Sequence, residues 1–152
     1  MTQYPEPQLD DLYREHILDH YRHPRHKGEL TVATAKAEGF NPLCGDEIAV
    51  DLTVEDGVIQ DVAFRGRGCS ISQASGSMMT EAVIGQSKAE ALALLSAFKQ
   101  MMMEPEKEPA AELGDLEAFQ GVAKFPVRVK CATLAWHVLE EGLEQATDGT
   151  HS

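Results

Sequence analysis

Three cysteines and one aspartate are the side chains of this sequence that are best suited to bind a metal ion. Cys44 and Asp46 lie two positions apart in the stretch "NPLCGDEI", and Cys69 and Cys131 follow later in the chain. Residues two apart in an extended segment project from the same face, so Cys44 and Asp46 can present sulfur and oxygen to one point. Two further thiolates would complete a tetrahedral zinc site. Spacing alone is weak support, because no C-x-x-C pair is present, and a role as small buried residues stays open for each cysteine.

Basic residues cluster beside two of these cysteines. Arg65 and Arg67 shortly precede Cys69, and Arg128 and Lys130 shortly precede Cys131. The chain as a whole has only 13 basic against 25 acidic residues. Three thiolates and one carboxylate around a divalent cation leave the site negative, and a partly buried site must offset that charge with donors and cations. We therefore expect these four side chains to offset the charge of the site.

Length and charge limit the classes of protein and partner. With 152 residues, of which 43% are hydrophobic, the sequence predicts a single domain over 1–152, ordered from about 9 to 143, with both termini flexible. A formal net charge of −12 disfavours nucleic acid and anionic membranes as partners. The start lacks the features of a signal peptide, and no apolar run approaches the roughly 18 residues of a membrane span, so we expect a cytoplasmic protein. An odd number of cysteines makes a structural disulfide framework improbable.

The first half of the chain predicts a helix followed by three antiparallel strands. The helix lies in "DDLYREHILDHYRHP" and stops at Pro24, and a modest strand follows in "LTVATAKAEGF". Apolar residues alternate from Ile48 to Val54, Asp56-Gly57 closes a hairpin, and the returning strand places Val58, Val62 and Phe64 on one face. A sheet with one apolar face needs a helical cover.

The second half supplies that cover. A Gly-rich loop carries Cys69 into a helix that ends at Gly85, Ser87 and Glu90 form a capping-box pattern before the next helix, and a short helical stretch follows around 116–119. A last helix begins at Pro126 and ends at Gly142, and we expect the tail "EQATDGTHS" to be disordered. The predicted fold class is α+β, with a three-stranded antiparallel sheet packed with about five helices.

The three cysteine-bearing stretches also resemble those of a known family. "NPLCGDEI", "GRGCSISQASGSMMTEAV" and "FPVRVKCATLAWHVLEEG" are similar to the SufU-type zinc-dependent sulfurtransferases of the IscU/NifU-like iron-sulfur cluster assembly family. The likeness runs from about Leu12 to Gly142. It implies the SufE/NifU (IscU-like) fold and zinc bound by Cys44, Asp46, Cys69 and Cys131.

Two subfamilies differ in what they do at these ligands. IscU-like scaffolds assemble a 2Fe-2S cluster and carry a histidine just before the third cysteine, together with a Leu-Pro-Pro-Val-Lys motif. This sequence has Lys130 at that position and lacks the motif, and its extra segment at roughly Phe98 to Gly121 resembles the insertion of the SufU type. Sulfur transfer is therefore favoured. The alternatives are a scaffold that holds a 2Fe-2S cluster or iron at the same ligands, and a binding module whose zinc is purely structural.

The resemblance further implies partners and roles. A PLP-dependent cysteine desulfurase of the SufS type would donate persulfide sulfur, and downstream Suf cluster-assembly proteins would receive it. Cys44 would be the sulfur acceptor, and a histidine of the desulfurase would take the zinc position that Cys44 leaves. Arg128 matches the arginine beside the family's site, where it would anchor the partner or offset the site's negative charge.

Other chemistry-bearing residues have simpler interpretations. His16, His20 and His23 lie at helical spacing and could form a second metal face, but we expect a solvated helix face because no cysteine or carboxylate pattern completes such a site. We expect the methionines at 78, 79 and 101–103 to fill the core and Trp136 to serve packing.

Overall fold

The computed structural model describes residues 11–42, 45–104, 106–108 and 110–150, with the side chains of 11–14 and 147–150 left out. Cys44 and the start of the chain therefore lie outside the described residues. The elements are α1 (Asp11–Arg22), β1 (Ala35–Asn41), β2 (Asp46–Glu55), β3 (Val58–Arg67), α2 (Ser70–Val83), α3 (Lys88–Met103), a 3-10 helix (Ala111–Lys124) and α4 (Pro126–Thr150). The predicted α+β class is confirmed.

The three strands form one antiparallel sheet in the order β1-β2-β3. Asp56 and Gly57 both adopt positive φ angles, 55° and 78°, as a tight hairpin turn between β2 and β3 requires. The register shifts between Thr53 and Val54, and Val58 is only half-buried while Ile59 is fully buried. This irregularity explains why simple alternation wrongly placed Val58 on the buried face with Val62 and Phe64, while β3 does begin at Val58.

Helices α2 and α4 cover the apolar face of the sheet and enclose the core. The alternating residues of β2 are all buried, namely Ile48, Val50, Leu52 and Val54. The indole of Trp136 on α4 stacks on Phe98 of α3, with ring centroids 4.7 Å apart, which confirms its packing role. Among the methionines, 78, 79, 101 and 102 are buried as expected, whereas Met103 is exposed.

The start of α3 follows the sequence pattern. Ser87 is the N-cap, its hydroxyl accepts a hydrogen bond from the backbone N–H of Glu90 at 3.0 Å, and the Glu90 carboxylate accepts one from the Ser87 N–H at 2.9 Å. The predicted capping box is confirmed. Such reciprocal bonds satisfy two N–H groups that a helix start otherwise leaves without partners.

Helix α4 is longer than the sequence predicted. The predicted end at Gly142 is wrong, because the helix continues to Thr150 and buries Leu143 and Ala146. Gly142 therefore lies inside the helix. A Cβ at that position would come within 2.8 Å of the Leu52 side chain, so the glycine permits close packing and does not end the helix. Within the described ranges, neither α4 nor any other helix combines the length and apolar character that crossing a membrane requires.

Candidate metal site

Three of the four predicted ligands meet at one end of the sheet. Asp46 is the first residue of β2, Cys69 is the N-cap of α2, and Cys131 lies in the second turn of α4. One ligand atom from each residue lies within 4.8 Å of the other two. The hairpin brings the end of β3 back beside the start of β2. Asp46 and Cys69 are therefore in contact although they lie 23 positions apart in the chain. Cys44 lies outside the described residues, two positions before Asp46.

The three residues differ in their exposure. Asp46 and Cys131 are buried, with exposed fractions of 0% and 1%, while Cys69 is half-buried. The group is therefore shielded on the side of the core and reachable from solvent on the side of Cys69. Thiolate and carboxylate donors at this separation are ligands that zinc accepts.

The Asp46 carboxylate is fixed by the backbone of α2. Its Oδ1 accepts a hydrogen bond from the Cys69 N–H at 3.1 Å. The α2 N-cap has no side-chain hydrogen bond of its own, and Asp46 places a carboxylate from the sheet at the positive end of the helix. This contact ties the start of β2 to the start of α2.

Gly68 leaves the space that this carboxylate occupies. A Cβ at position 68 would lie 2.3 Å from Asp46 Oδ1 and 2.5 Å from the hydroxyl oxygen of Ser72. Real Cβ atoms do not approach oxygen so closely, so any side chain here would displace Asp46 or Ser72. The Ser72 hydroxyl itself donates to the Cys69 carbonyl at 3.1 Å, one turn back along the chain.

Two of the four expected cations are engaged elsewhere. Arg65 lies 3.2 Å from Asp51, a fully buried carboxylate in the middle of β2, and Arg67 lies 3.7 Å from Glu47. The expectation that Arg65 offsets the charge of the cysteines is wrong, because this residue neutralises a buried carboxylate that would be costly without a cation, whereas the exposed Arg67 forms only a surface pair. Arg128 and Lys130 are exposed, and no ion pair joins either to another described residue.

Exposed apolar side chains occur close in sequence to two of the ligands. Phe125 and Val127 are 51% and 58% exposed just before Cys131, and Phe40 is 58% exposed near the end of β1 that pairs with Asp46. Phe125 and Val127 line one shallow pocket together with Arg128. Exposed aromatic and aliphatic side chains beside a cation are typical of protein contact surfaces.

A buried polar contact between α1 and α2 was missed by the sequence analysis. His20 is only 7% exposed, and its Nδ1 lies 2.7 Å from the Ser77 hydroxyl, which also accepts a hydrogen bond from the Arg25 N–H at 2.8 Å. Burial and the nearby Arg25 guanidinium lower the pKa of His20. The expected solvated face is therefore wrong for His20, while His23 is exposed. In the described part of the chain, the histidines of α1 form no second metal-binding group.

Comparison with known proteins agrees with this fold. The NifU-like N-terminal domain family matches residues 12–144, and the chain belongs to this family. The chain is 45% identical over 141 residues to the zinc-dependent sulfurtransferase SufU of Bacillus subtilis, covering 93% of this chain and 95% of that protein. It is 46% identical over 143 residues to the iron-sulfur cluster assembly scaffold protein IscU of Streptococcus pyogenes, covering 94% and 89%.

Solved structures show the same architecture. The N-terminal part of a NifU-like protein from Brucella abortus matches with a TM-score of 0.84 and 28% identity, covering 93% of this chain and 98% of that one. A candidate iron-sulfur cluster assembly scaffold protein of the SUF system from Fervidobacterium islandicum matches with a TM-score of 0.80 and 38% identity, covering 85% and 94%. The predicted resemblance to the IscU/NifU-like family is thus confirmed.

Proposed function

We propose that this protein acts in iron-sulfur cluster biogenesis as a zinc-dependent sulfur acceptor that takes persulfide sulfur from a PLP-dependent cysteine desulfurase. The observation that carries the proposal is the convergence of Asp46, Cys69 and Cys131, whose ligand atoms lie within 4.8 Å of one another. The likeness to a relative named a zinc-dependent sulfurtransferase supports sulfur transfer as the use of that site.

The donor set fits zinc. Two thiols and one carboxylate are in place among the described residues, and Cys44, two positions before Asp46, supplies the fourth ligand in this proposal. Bound zinc keeps the thiols deprotonated and holds them at one point. Asp46 lies in β2, Cys69 caps α2 and Cys131 lies in α4, with buried or half-buried side chains, so these three residues are suited to retain the ion while Cys44 is released.

The transfer step itself needs no oxidant or reductant. The Cys44 thiolate attacks the outer sulfur of the desulfurase persulfide, a new sulfur–sulfur bond forms at Cys44, and the bond to the enzyme's cysteine breaks. The desulfurase cysteine leaves as a thiolate, and the proton on the transferred sulfur stays with it. A histidine of the desulfurase would occupy the ligand position that Cys44 leaves, and the Cys44 persulfide would pass its sulfur to downstream Suf cluster-assembly proteins.

The surface beside Cys131 suits a protein partner. Phe125 and Val127 expose apolar surface, and Arg128 adds a cation that pairs with no carboxylate among the described residues. In this proposal Arg128 forms a charge-assisted contact with the SufS-type desulfurase. Arginine is one of the residues that contribute most to binding when they are buried in an interface. The proposed compartment is the cytoplasm, where the thiols stay reduced.

A cluster scaffold is the second candidate. The Streptococcus pyogenes relative, 46% identical to this chain, is named a scaffold protein, and the same ligands could hold iron or a 2Fe-2S cluster. Anaerobically purified protein discriminates the two candidates. Stable iron and acid-labile sulfide without zinc would favour the scaffold, whereas about one zinc per chain favours the sulfur acceptor.

Replacement of Cys44 tests the acceptor role. The Cys44→Ala variant should accept no radiolabelled sulfur from a SufS-type desulfurase, because it lacks the attacking thiol, while its binding to the desulfurase partly survives through the surface around Arg128. The measurement is label on the isolated chain after incubation with cysteine and desulfurase. A transfer rate equal to that of the wild type would remove Cys44 as the acceptor.

Replacement of Arg128 tests the partner contact, with Lys130 as a matched control on the same helix. Arg128→Ala should weaken desulfurase binding about tenfold, which is the loss of roughly 1.4 kcal/mol. Lys130→Ala removes an exposed cation two positions further along and should change binding less than threefold if general charge attraction contributes little. Titration calorimetry measures both affinities, and equal losses in the two variants would contradict a specific role of Arg128.

A further inference from the structure

The Asp46 carboxylate is held by the backbone of α2 as well as by its place in β2. The Cys69 N–H donates to Asp46 Oδ1 at 3.1 Å, and Asp46 is fully buried. Rotation of the carboxylate that moved Oδ1 away would break this contact and leave a partly buried N–H without this acceptor. The structure therefore fixes the rotation of the carboxylate, not only its position.

The absence of a side chain at Gly68 is needed for this arrangement. A Cβ there would lie 2.3 Å from Asp46 Oδ1 and 2.8 Å from its carboxyl carbon. The backbone of Gly68 does not adopt a positive φ, so the glycine is required for space and not for an unusual backbone conformation. An alanine at this position would push the carboxylate away from the Cys69 amide.

The rotation of a carboxylate decides how many oxygens it gives to a metal ion. A carboxylate can bind through one oxygen or through both, and binding through both requires the two oxygens to face the ion together. A zinc site that exchanges a ligand keeps three protein ligands and one position that an outside group can enter. If Asp46 turned its second oxygen to the ion when Cys44 left, it would compete with the incoming ligand.

We infer that Gly68 and the Cys69 amide hold Asp46 as a one-oxygen ligand, so that the position left by Cys44 stays available to an imidazole or thiolate of the partner. The inference rests on the zinc ligand set of the proposed function. Gly68 acts here as a positioning residue, because it touches neither the ion nor the transferred sulfur. Its contribution is to let Asp46 keep one mode of binding through both states of the site.

The Cys69 amide gives a direct readout in the full-length protein. Its resonance in NMR spectra of uniformly ¹⁵N-labelled protein should lie downfield, as expected for a donor to a carboxylate, both in the zinc-loaded wild type and in zinc-loaded Cys44→Ala. Its hydrogen-exchange rate should agree between the two within about threefold. An upfield shift with much faster exchange in zinc-loaded Cys44→Ala would overturn the inference, because it would show that Asp46 has left the amide.

An imidazole titration tests the consequence. Co²⁺-loaded Cys44→Ala should bind imidazole, as followed by its visible absorption, and adding Gly68→Ala should weaken imidazole binding about 10- to 100-fold, the usual effect of losing an outer contact of a ligand. Adding Gly76→Ala instead is the matched control, since its Cβ would press on the Phe64 ring 2.8 Å away and perturb packing without touching Asp46. It should lower the thermal midpoint but leave the imidazole affinity unchanged.

The outcomes separate the inference from the function on which it rests. Equal imidazole affinities with and without Gly68→Ala would overturn the inference. If that variant does not retain cobalt, the chemical shift and exchange rate of the Cys69 amide in zinc-loaded Cys44→Ala decide the question. Wild-type protein that binds no zinc would overturn both claims. Zinc binding and a Cys69 amide as expected, but no sulfur transfer from the desulfurase, would overturn the proposed function and support the inference.

Discussion

The two halves of α2 use buried polar groups in opposite ways. In the middle and at the end of the helix, each buried hydroxyl bonds to a group outside the helix. Ser75 donates to the Ala132 carbonyl at 2.6 Å and accepts from the Trp136 indole, while Ser77 contacts His20. At the start of the helix, Cys69 instead converges with two other candidate metal ligands, one from the sheet and one from α4. Polar groups that satisfy one another hold the helices together, whereas donors gathered at one point can bind something from outside.

The largest expected effect concerns the candidate metal site at the start of α2, to which α4 contributes Cys131. Cys131→Ala should lower zinc affinity by about 100-fold or more, because removal of a ligand costs more than removal of an outer contact. Chelation of zinc should destabilise the wild type by about 4 kcal/mol at free zinc 1,000 times its dissociation constant, and should destabilise Cys131→Ala by about 1.4 kcal/mol or less at the same free zinc. Chelator competition and thermal unfolding measure these two effects. Equal zinc affinity in the variant would remove Cys131 from the site.

A smaller effect is expected from the middle of the helix. Ser77→Ala leaves the His20 ring nitrogen and the Arg25 N–H without their shared partner, in surroundings where His20 is 7% exposed. This should cost about 1–3 kcal/mol of unfolding free energy in denaturant titrations. Zinc affinity should stay within twofold, since the hydroxyl is two helical turns from Cys69. A loss of zinc affinity equal to that of Cys131→Ala would break the distinction between the two halves.

The smallest expected effect is a pH dependence of the free energy of unfolding, which arises from the burial of His20 beside Ser77. Burial, followed by the Arg25 charge, lowers the pKa of His20 in the folded state, while Glu81 and Asp19 oppose and His16 adds to this shift. The folded state thus binds fewer protons than the unfolded state below the unfolded pKa of about 6.5. The contribution of the neutral, buried His20 to the free energy of unfolding is complete above that pH. This contribution is lost as the pH falls from there through the lower folded pKa.

The slope of this loss is limited to one proton, or about 1.4 kcal/mol per pH unit. The measurement is the unfolding free energy of the metal-free protein between pH 7 and 5, compared with His20→Asn. The comparison is needed because burial also lowers the pKa of His137, which adds a dependence of the same sign. A slope that is identical in the variant would assign the whole effect to other groups.

The sequence predicted those features that local patterns determine. Strand β2 alternates, Ser87 and Glu90 form a capping box, and Trp136 packs in the core, because each follows from a few neighbouring residues. The end of α4 was misjudged, since Gly142 is required by the Leu52 side chain on a distant strand. The contact of His20 with Ser77 was missed for the same reason, as 57 positions separate the two residues.

The site was predictable only in part. Residue types and the family resemblance identified Asp46, Cys69 and Cys131 as candidates, which the fold brings within 4.8 Å. Their charged neighbours in sequence were a poor guide, because Arg65 points to the buried Asp51 on the adjacent strand. The signal that could have indicated this is the cross-strand arrangement of Asp51 and the β3 arginine, which depends on the register and not on either segment alone.

The central claim is that Cys44, Asp46, Cys69 and Cys131 bind one zinc ion together. Zinc X-ray absorption spectroscopy and zinc analysis of the purified full-length protein test it most directly. We predict about one zinc per chain with three sulfur neighbours and one oxygen neighbour, and two sulfur neighbours in Cys44→Ala. A wild-type spectrum with the same number of sulfur neighbours as that variant would contradict the account, because Cys44 would then not share the ion with Cys69 and Cys131.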